Sequence, residues 1–208
     1  DGYAQLGRPH HCQVLIRQMR SLSQKHDINL QPDLYSWTIL LTAWSRSNES
    51  HATTQMYKIL DYLEAASLLT TSNHAYNIIL SALAKKNPLA QVDPLSSMLQ
   101  LVKRMENRAQ EFPSCGPCIY TFQTLLTAMG KNGRYRIKHN DKNHHGPQQA
   151  MKILNELENH PVLRPNTHCY TAVMQAWATS REPQKATQAY ELLQNLRQRY
   201  EVEEIKAC

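Results

Sequence analysis

The sequence lacks a long hydrophobic run. None of its apolar stretches approaches the roughly 20 residues that cross a bilayer, so we expect no membrane-spanning segment and no membrane partner. The N-terminus, Asp1 to Gln5, also lacks an initiator methionine, a basic-then-apolar signal region and an Arg- and Ser-rich transit segment. Any targeting signal is therefore expected to lie outside these 208 residues.

Glycine is scarce, and so are the motifs of catalysis. With 6 glycines, the chain contains no Gly-rich loop that would cradle a phosphate. Its Ser, His and carboxylate residues form no recognisable nucleophile arrangement. We therefore predict that the protein is not an enzyme and uses no cofactor, no metal and no small-molecule substrate.

The five cysteines are odd in number and scattered, which argues against a disulfide framework and for a reducing compartment. Cys115 and Cys118 have the spacing of a thioredoxin-type redox motif, but no βαβ pattern surrounds them. A zinc site that adds histidines from positions 139, 144 and 145 would have to reach across a whole helix. A coincidental spacing in a turn is the favoured interpretation.

The charge balance permits a polyanionic partner without requiring one, since 23 Lys and Arg residues stand against 17 Asp and Glu residues, a net charge of +6. The most basic stretch runs from Arg134 to Gly146 and contains Arg134, Arg136, Lys138 and Lys142. We predict that it is a surface loop inserted within a repeat, and a solvated charge run is its simplest interpretation.

One pattern occurs four times along the chain. It consists of an aromatic residue, apolar residues three and four places later, alanine at six and a large apolar residue at seven. Offsets of three, four and seven place side chains on one face of an α-helix, which we call helix A. The four copies are Trp37, Leu40, Leu41, Ala43, Trp44; Tyr76, Ile79, Leu80, Ala82, Leu83; Phe122, Leu125, Leu126, Ala128, Met129; and Tyr170, Val173, Met174, Ala176, Trp177.

A second pattern, helix B, has apolar residues at positions zero, three, four and seven. One copy precedes the first helix A, and one further copy follows each of the four A helices. The five copies are Cys12, Leu15, Ile16, Met19; Met56, Ile59, Leu60, Leu63; Met98, Leu101, Val102, Met105; Ala150, Ile153, Leu154, Leu157; and Ala189, Leu192, Leu193, Leu196. A recurring helix pair is the signature of a solenoid, in which neighbouring repeats bury each other's apolar faces.

These patterns divide the chain into a partial repeat and four complete ones. We expect residues 1–31 to hold an N-terminal loop, over residues 1–11, and an unpaired helix B. Repeats then follow at 32–71, 72–116, 117–164 and 165–208, the last with a C-terminal tail that continues helix B. Further polar insertions, Asn48 to His51 and Asn87 to Val92, are expected to form surface loops between helix A and helix B. The fold class predicted is all-α, a right-handed solenoid of antiparallel helix hairpins.

The units PDLYSWTILLTAWSRS, SNHAYNIILSALAKKN, PCIYTFQTLLTAMGKNG and PNTHCYTAVMQAWATS, each followed by a helix such as AMKILNEL or AYELLQNL, resemble pentatricopeptide repeats from about Cys12 to Leu196. Tetratricopeptide repeats are less similar, because they have glycine where this chain has Leu41, Leu80, Leu126 and Met174. The resemblance implies a module that binds single-stranded RNA, one base per repeat, in organellar RNA processing, stability or translation. It also implies a mitochondrial or plastid location.

The resemblance implies which residues contact RNA. Base-reading residues would follow each helix-A aromatic and close each repeat; these are Thr38, Ser72, Asn77, Cys118, Gln123, Asn166 and Thr171, with Asp33 closing the partial repeat. Asn77 with Cys118 and Gln123 with Asn166 depart from the family's best-understood pairings. Rings two places before each aromatic would stack on bases; these are Tyr35, His74, Tyr120 and His168. Partly buried packing residues at the junctions of the hairpins are the alternative for these four.

Nine places after the aromatic, Arg46, Lys85 and Lys131 match the cation that the family often places there, and would bind phosphates. A helix C-terminus also favours a cation through its dipole, so a purely structural role stays open. A scaffold of helical repeats that binds another protein is the alternative function.

Overall fold

A computed structural model describes residues 2–26, 30–85, 94–139 and 146–207, and every regular element in this part of the chain is helical. The all-α prediction is thus confirmed for the described residues. Ten α-helices lie in it: α1 Gly2–Gln5, α2 Pro9–His26, α3 Leu34–Arg46, α4 Ala52–Ala65, α5 His74–Lys85, α6 Pro94–Ala109, α7 Ile119–His139, α8 Pro147–Glu158, α9 Thr167–Ala178 and α10 Lys185–Ala207, with a short 3-10 helix at Pro113–Cys115. None of these helices is long and apolar enough to cross a bilayer.

The two repeated patterns coincide with nine of these helices. Helix A forms α3, α5, α7 and α9, whereas helix B forms α2, α4, α6, α8 and α10. The alanine of helix A is buried in all four copies. Of the twenty residues in the four helix-A patterns, all are buried except Phe122 and Met174, which are half-buried. The period of the apolar residues therefore predicted the core correctly.

The chain forms two compact units. The first contains Asp1–Lys86 with Ser97–Pro117, and the second contains Asn87–Ser96 with Cys118–Cys208. In the first unit, α3 packs against α1, α2, α4 and α5, and α4 also contacts α5. In the second unit, α9 packs against α7, α8 and α10, and α7 also contacts α8. Within each unit, then, one helix A packs directly against the next.

The second unit contains a close helix contact that depends on glycine. A Cβ atom on Gly130 of α7 would lie 2.9 Å from the carbonyl oxygen of Ala172 on α9. The hydroxyl of Thr179 donates to the Gly130 carbonyl at 3.3 Å, which bridges the same two segments. Because a larger side chain would press on backbone, Gly130 sets how closely α7 and α9 approach.

Two loop predictions were wrong. Residues 1–11 hold α1 and the start of α2, because Gly7 ends α1 with a positive φ of 63° and Pro9 occupies the first position of α2, where its missing N–H costs nothing. The predicted loop from Arg134 is helical as far as His139, since no proline interrupts α7 before Pro147. The loop Asn48 to His51 does lie between α3 and α4, and Asn87 to Val92 lie outside the described residues.

Candidate nucleic-acid interface

The candidate site begins with the first turn of each helix A, and side-chain caps hold two of these turns. Asp33 precedes α3, and its Oδ1 accepts from the backbone N–H of Ser36 at 2.8 Å and from the Ser36 hydroxyl at 2.7 Å. These two hydrogen bonds lower the pKa of Asp33, and the bond from the Ser36 hydroxyl has the larger effect. Asn166 caps α9 in the same way, because its Oδ1 accepts from the N–H of Cys169 at 3.1 Å.

All four predicted stacking residues lie in these first turns and are exposed. Tyr35 is 62% exposed and Tyr120 is 51% exposed. His74 begins α5, and His168 is the second residue of α9; both are exposed as well. None of the four rings therefore belongs to the buried core, and the alternative of partly buried packing residues stays a prediction.

The predicted base-reading residues differ between the units. In the first unit, Thr38 and Asn77 are buried. The Thr38 hydroxyl donates to the Tyr35 carbonyl at 2.8 Å, and the Asn77 amide donates to Asn73 Oδ1 at 3.2 Å. Ser72 is half-buried, and its hydroxyl oxygen accepts from the N–H of His74 at 3.1 Å. The polar groups of these three residues thus have partners within the protein.

In the second unit, these positions are more accessible. Thr171 and Asn166 are exposed, whereas Gln123 and Cys118 are half-buried. The Asn166 amide nitrogen lies 3.5 Å from Gln123 Oε1, at the limit of a hydrogen bond, so this predicted pair does come together. The backbone N–H of Cys118 donates to the Thr121 hydroxyl at 3.1 Å.

The three predicted phosphate-binding cations are exposed, but their surroundings differ. Arg46 donates from Nη1 to the carbonyl of Gln5 at 3.2 Å, which ties the end of α1 to α3. Lys85 is the last residue of α5, so the helix dipole also accounts for it. Lys131 lies inside α7, which continues to His139, and the dipole explanation therefore does not apply to it.

Cys115 is unlike a redox-active cysteine. It is buried in the 3-10 helix Pro113–Cys115, and its thiol donates to the Leu69 carbonyl at 3.4 Å. Burial raises the pKa of this thiol, whereas a redox centre needs a lowered one. Among the described residues no group of three or more His, Cys, Asp or Glu side chains is placed to hold a metal; the histidines at 144 and 145 lie outside that part of the chain.

A polar network that the sequence analysis missed joins three helices of the first unit. Arg104 of α6 donates to both carboxylate oxygens of Glu64 on α4, at 2.9 and 2.6 Å, and to Asp61 at 2.6 Å. The Tyr76 hydroxyl of α5 donates to Glu64 Oε1 at 2.5 Å. Burial raises the pKa of Tyr76, and the hydrogen bond to Glu64 raises it further. Burial alone would lower the pKa of Arg104, but its hydrogen bonds to Glu64 and Asp61 outweigh that effect, so the pKa of Arg104 is raised.

The Tyr76 contact recurs in the second unit, where the Tyr170 hydroxyl donates to Glu158 at 2.5 Å. Each glutamate precedes its tyrosine by twelve residues and stands at position eight of a helix-B pattern. This recurrence is the signal in the sequence that would have revealed the pair. It supports the equivalence of the repeats independently of their apolar residues.

A groove of about 730 Å³ lies in the second unit, away from these first turns. None of the predicted RNA-contacting residues lines it. Its walls are Gln148, Met151, Lys152, Asn155, Glu156, Asn159, Trp177, Gln184 and Gln188.

No protein-family model matches the chain, and no curated protein matches it either.

Proposed function

We propose that the protein is a non-catalytic module that binds single-stranded RNA through the first turns of its A helices. The observation that carries this proposal is the exposure of a ring at the same place in all four copies of helix A, namely Tyr35, His74, Tyr120 and His168. Exposed rings on neighbouring repeats suit unstacked bases, and each such contact contributes about 1 to 3 kcal/mol whatever the base.

The surrounding polar groups suit the same ligand. Arg46, Lys85 and Lys131 are exposed cations, each nine residues after a helix-A aromatic. Exposed cations repeated at this spacing suit the binding of successive phosphates of a nucleic-acid strand. Asn166 Oδ1 caps α9 and Asn166 Nδ2 lies 3.5 Å from Gln123 Oε1, so the Nε2 group of Gln123 and the second N–H of Asn166 are the donors that suit base edges. Because Thr38 and Asn77 are buried, we expect base selection to come from the second unit and sequence-tolerant stacking from both.

The resemblance to pentatricopeptide repeats supports the wider setting of the proposal. On that basis we propose antiparallel helix hairpins that form a right-handed solenoid. We also propose a role in the processing, stability or translation of transcripts in a mitochondrion or plastid.

Fluorescence anisotropy with labelled single-stranded RNA homopolymers, over a salt series, tests the proposal. Matched DNA and duplex RNA serve as the comparison. We expect saturable binding that prefers single-stranded RNA, and a slope of log K against log salt of about −2, from three cations at about 0.7 each. Absence of binding at low salt, or equal binding of duplex RNA, would contradict the proposal.

A scaffold that binds another protein is the second candidate, and the burial of Thr38 and Asn77 favours it. The same anisotropy experiment separates the two functions, because the scaffold predicts no preference for RNA over DNA.

A further inference from the structure

The groove in the second unit is bordered by two consecutive B helices, α8 and the start of α10. Helix α9 packs against both of them, and Trp177 near its end, which is 5% exposed, forms the base of the groove. The volume of about 730 Å³ lies in the range of about 300 to 1,000 Å³ that is usual for ligand sites. The groove therefore has the size of a binding site separate from the proposed RNA interface.

The two units differ at the repeat positions beside this groove. In the first unit, position five of helix B is Asp61, and Arg104 at position six of the next helix B donates to it at 2.6 Å. In the second unit, the corresponding residues are Asn155 and Asn195. Neither asparagine side chain is bonded to a residue in the described part of the chain. These two positions therefore do not tie α8 to α10, and the space beside Asn155 stays open.

Amide side chains dominate the groove, since five of the nine residues that line it are asparagine or glutamine. Gln148, Asn155 and Gln184 make no side-chain hydrogen bond with any residue that the structure describes. Asn159 and Gln188 use their amide nitrogens in hydrogen bonds of 2.9 and 3.0 Å, which leaves their oxygens as acceptors. The groove thus offers amide donors and amide acceptors side by side.

The charge of the groove disfavours a nucleic acid. Its two charged lining residues are Lys152 and Glu156, whose side chains lie 4.0 Å apart and have opposite charges. A phosphate backbone instead requires an excess of cations. The groove is therefore suited to an uncharged ligand that is rich in hydrogen-bonding groups, as a peptide backbone is.

The spacing of the amides matches an extended peptide. Asn155 and Asn159 are four residues apart on α8, and Gln184 and Gln188 form a second such pair, in which the Gln188 N–H donates to the Gln184 carbonyl at 3.0 Å. Four helical residues rise about 6 Å, and backbone groups on one side of an extended peptide recur every two residues, at about 6.6 Å. From Gln148 to Asn159 the helix rises about 16 Å, the length of about five extended residues.

We propose that this groove binds an extended, uncharged segment of about five residues from a partner protein, with the amides of α8 and α10 paired to its backbone. Met151 and Trp177 provide an apolar surface for one of its side chains. The site goes beyond the proposed RNA binding and does not depend on it, because the two use different residues.

Titration of the ¹⁵N-labelled chain with capped hexapeptides built from uncharged residues, followed by NMR, tests the proposal. The indole N–H signal of Trp177, which Trp177→Phe identifies among the three tryptophans, reports on the groove. We expect members of this library to shift the signal in a saturable way. Backbone N-methylation of the best hexapeptide should weaken its binding about tenfold, because it removes the backbone donors. The RNA oligomer hexauridylate should leave the signal unchanged.

Asn155→Ala combined with Gln184→Ala should also weaken binding of that hexapeptide about tenfold. Asn195→Ala combined with Gln175→Ala is the matched control, because both of these amides are exposed and lie outside the groove. Circular dichroism checks that both double variants fold, and both should bind RNA like the wild type.

Four results would each overturn the proposal. They are the absence of binding by every hexapeptide, equal affinity of the N-methylated hexapeptide, equal affinity of the two double variants, and a Trp177 shift caused by hexauridylate. A chain that binds the hexapeptide but no RNA would contradict the proposed RNA function alone.

Discussion

The first unit contains two helix junctions that use the same three repeat positions with different chemistry. Position eight of one helix B, the aromatic of helix A and position six of the next helix B meet at each junction. The first junction consists of Arg20, Trp37 and Tyr62, and the second consists of Glu64, Tyr76 and Arg104. The cation is thus at position eight, upstream of the aromatic, in the first junction and at position six, downstream of it, in the second.

In the first junction, the Arg20 guanidinium lies 5.0 Å from the centre of the Trp37 ring and 4.7 Å from that of Tyr62. The indole offers a π face to a cation, so arginine suits position eight. A tyrosine hydroxyl instead donates to an acceptor, so glutamate suits the same position beside Tyr76 and Tyr170. The residue at position eight therefore matches the chemistry of the helix-A aromatic that follows it, arginine with tryptophan and glutamate with tyrosine. Three substitutions test this pairing.

The largest effect is expected for Glu64→Ala, which removes the shared acceptor of Arg104 and Tyr76. We expect a loss of about 2 kcal/mol in the free energy of unfolding, measured by urea denaturation. The loss should fall below that of a fully buried ion pair, because the Arg104 side chain is 34% exposed. Glu156→Ala is the control, since Glu156 makes an exposed contact with Lys152 at 4.0 Å and should cost less than about 0.5 kcal/mol. Equal costs for the two variants would contradict the network.

Tyr76→Phe should cost about 1.5 kcal/mol, because the ring stays in place and only the bond to a carboxylate is lost. The pKa of Tyr76 is raised in the folded protein, so the unfolded chain ionises first as pH rises through about 10. Stability is therefore full below that pH and falls above it. Unfolding measured from neutral to alkaline pH should show a smaller alkaline loss in Tyr76→Phe, and an unchanged pH profile would refute the assignment.

Arg20→Gln should have the smallest effect, a loss of about 1 kcal/mol in the free energy of unfolding. Arg20 is half-exposed, so water still solvates the guanidinium and its attraction to the two rings adds little stability. Arg17→Gln, an exposed position on the same helix, serves as the comparison and should change the free energy of unfolding by less than about 0.5 kcal/mol. If both variants unfold at the same urea concentration, the first junction does not depend on its cation.

Much of the fold could be predicted from the sequence because its strongest signal is local. Residues at offsets three, four and seven share a helix face whatever surrounds the helix, so nine helices and nearly all of the helix-A core followed from spacing alone. The extent of α7 did not follow, because the polar, basic composition from Arg134 predicts a loop although no proline occurs between Arg134 and Pro147.

The candidate site was less predictable, because accessibility depends on neighbouring helices. Tyr35 and Thr38 lie three residues apart on α3, yet the first is exposed and the second is buried. The Glu64, Tyr76 and Arg104 network comes from three different helices, and no single segment of sequence carries it. To identify side chains that contact each other across helices, one must know how the helices pack, and the spacing of the repeats does not give that packing.

The affinity of single-stranded RNA for Tyr35→Ala and Tyr120→Ala, alone and combined, tests the central claim most directly. Tyr190→Ala is the matched control, because Tyr190 is a comparably exposed tyrosine on α10, outside the first turns of the A helices. We predict that each of the two substitutions weakens binding by about 1 to 3 kcal/mol in anisotropy titrations, while the control and the thermal unfolding temperatures stay close to wild type. Wild-type affinity in the combined variant would contradict the claim that these exposed rings bind RNA.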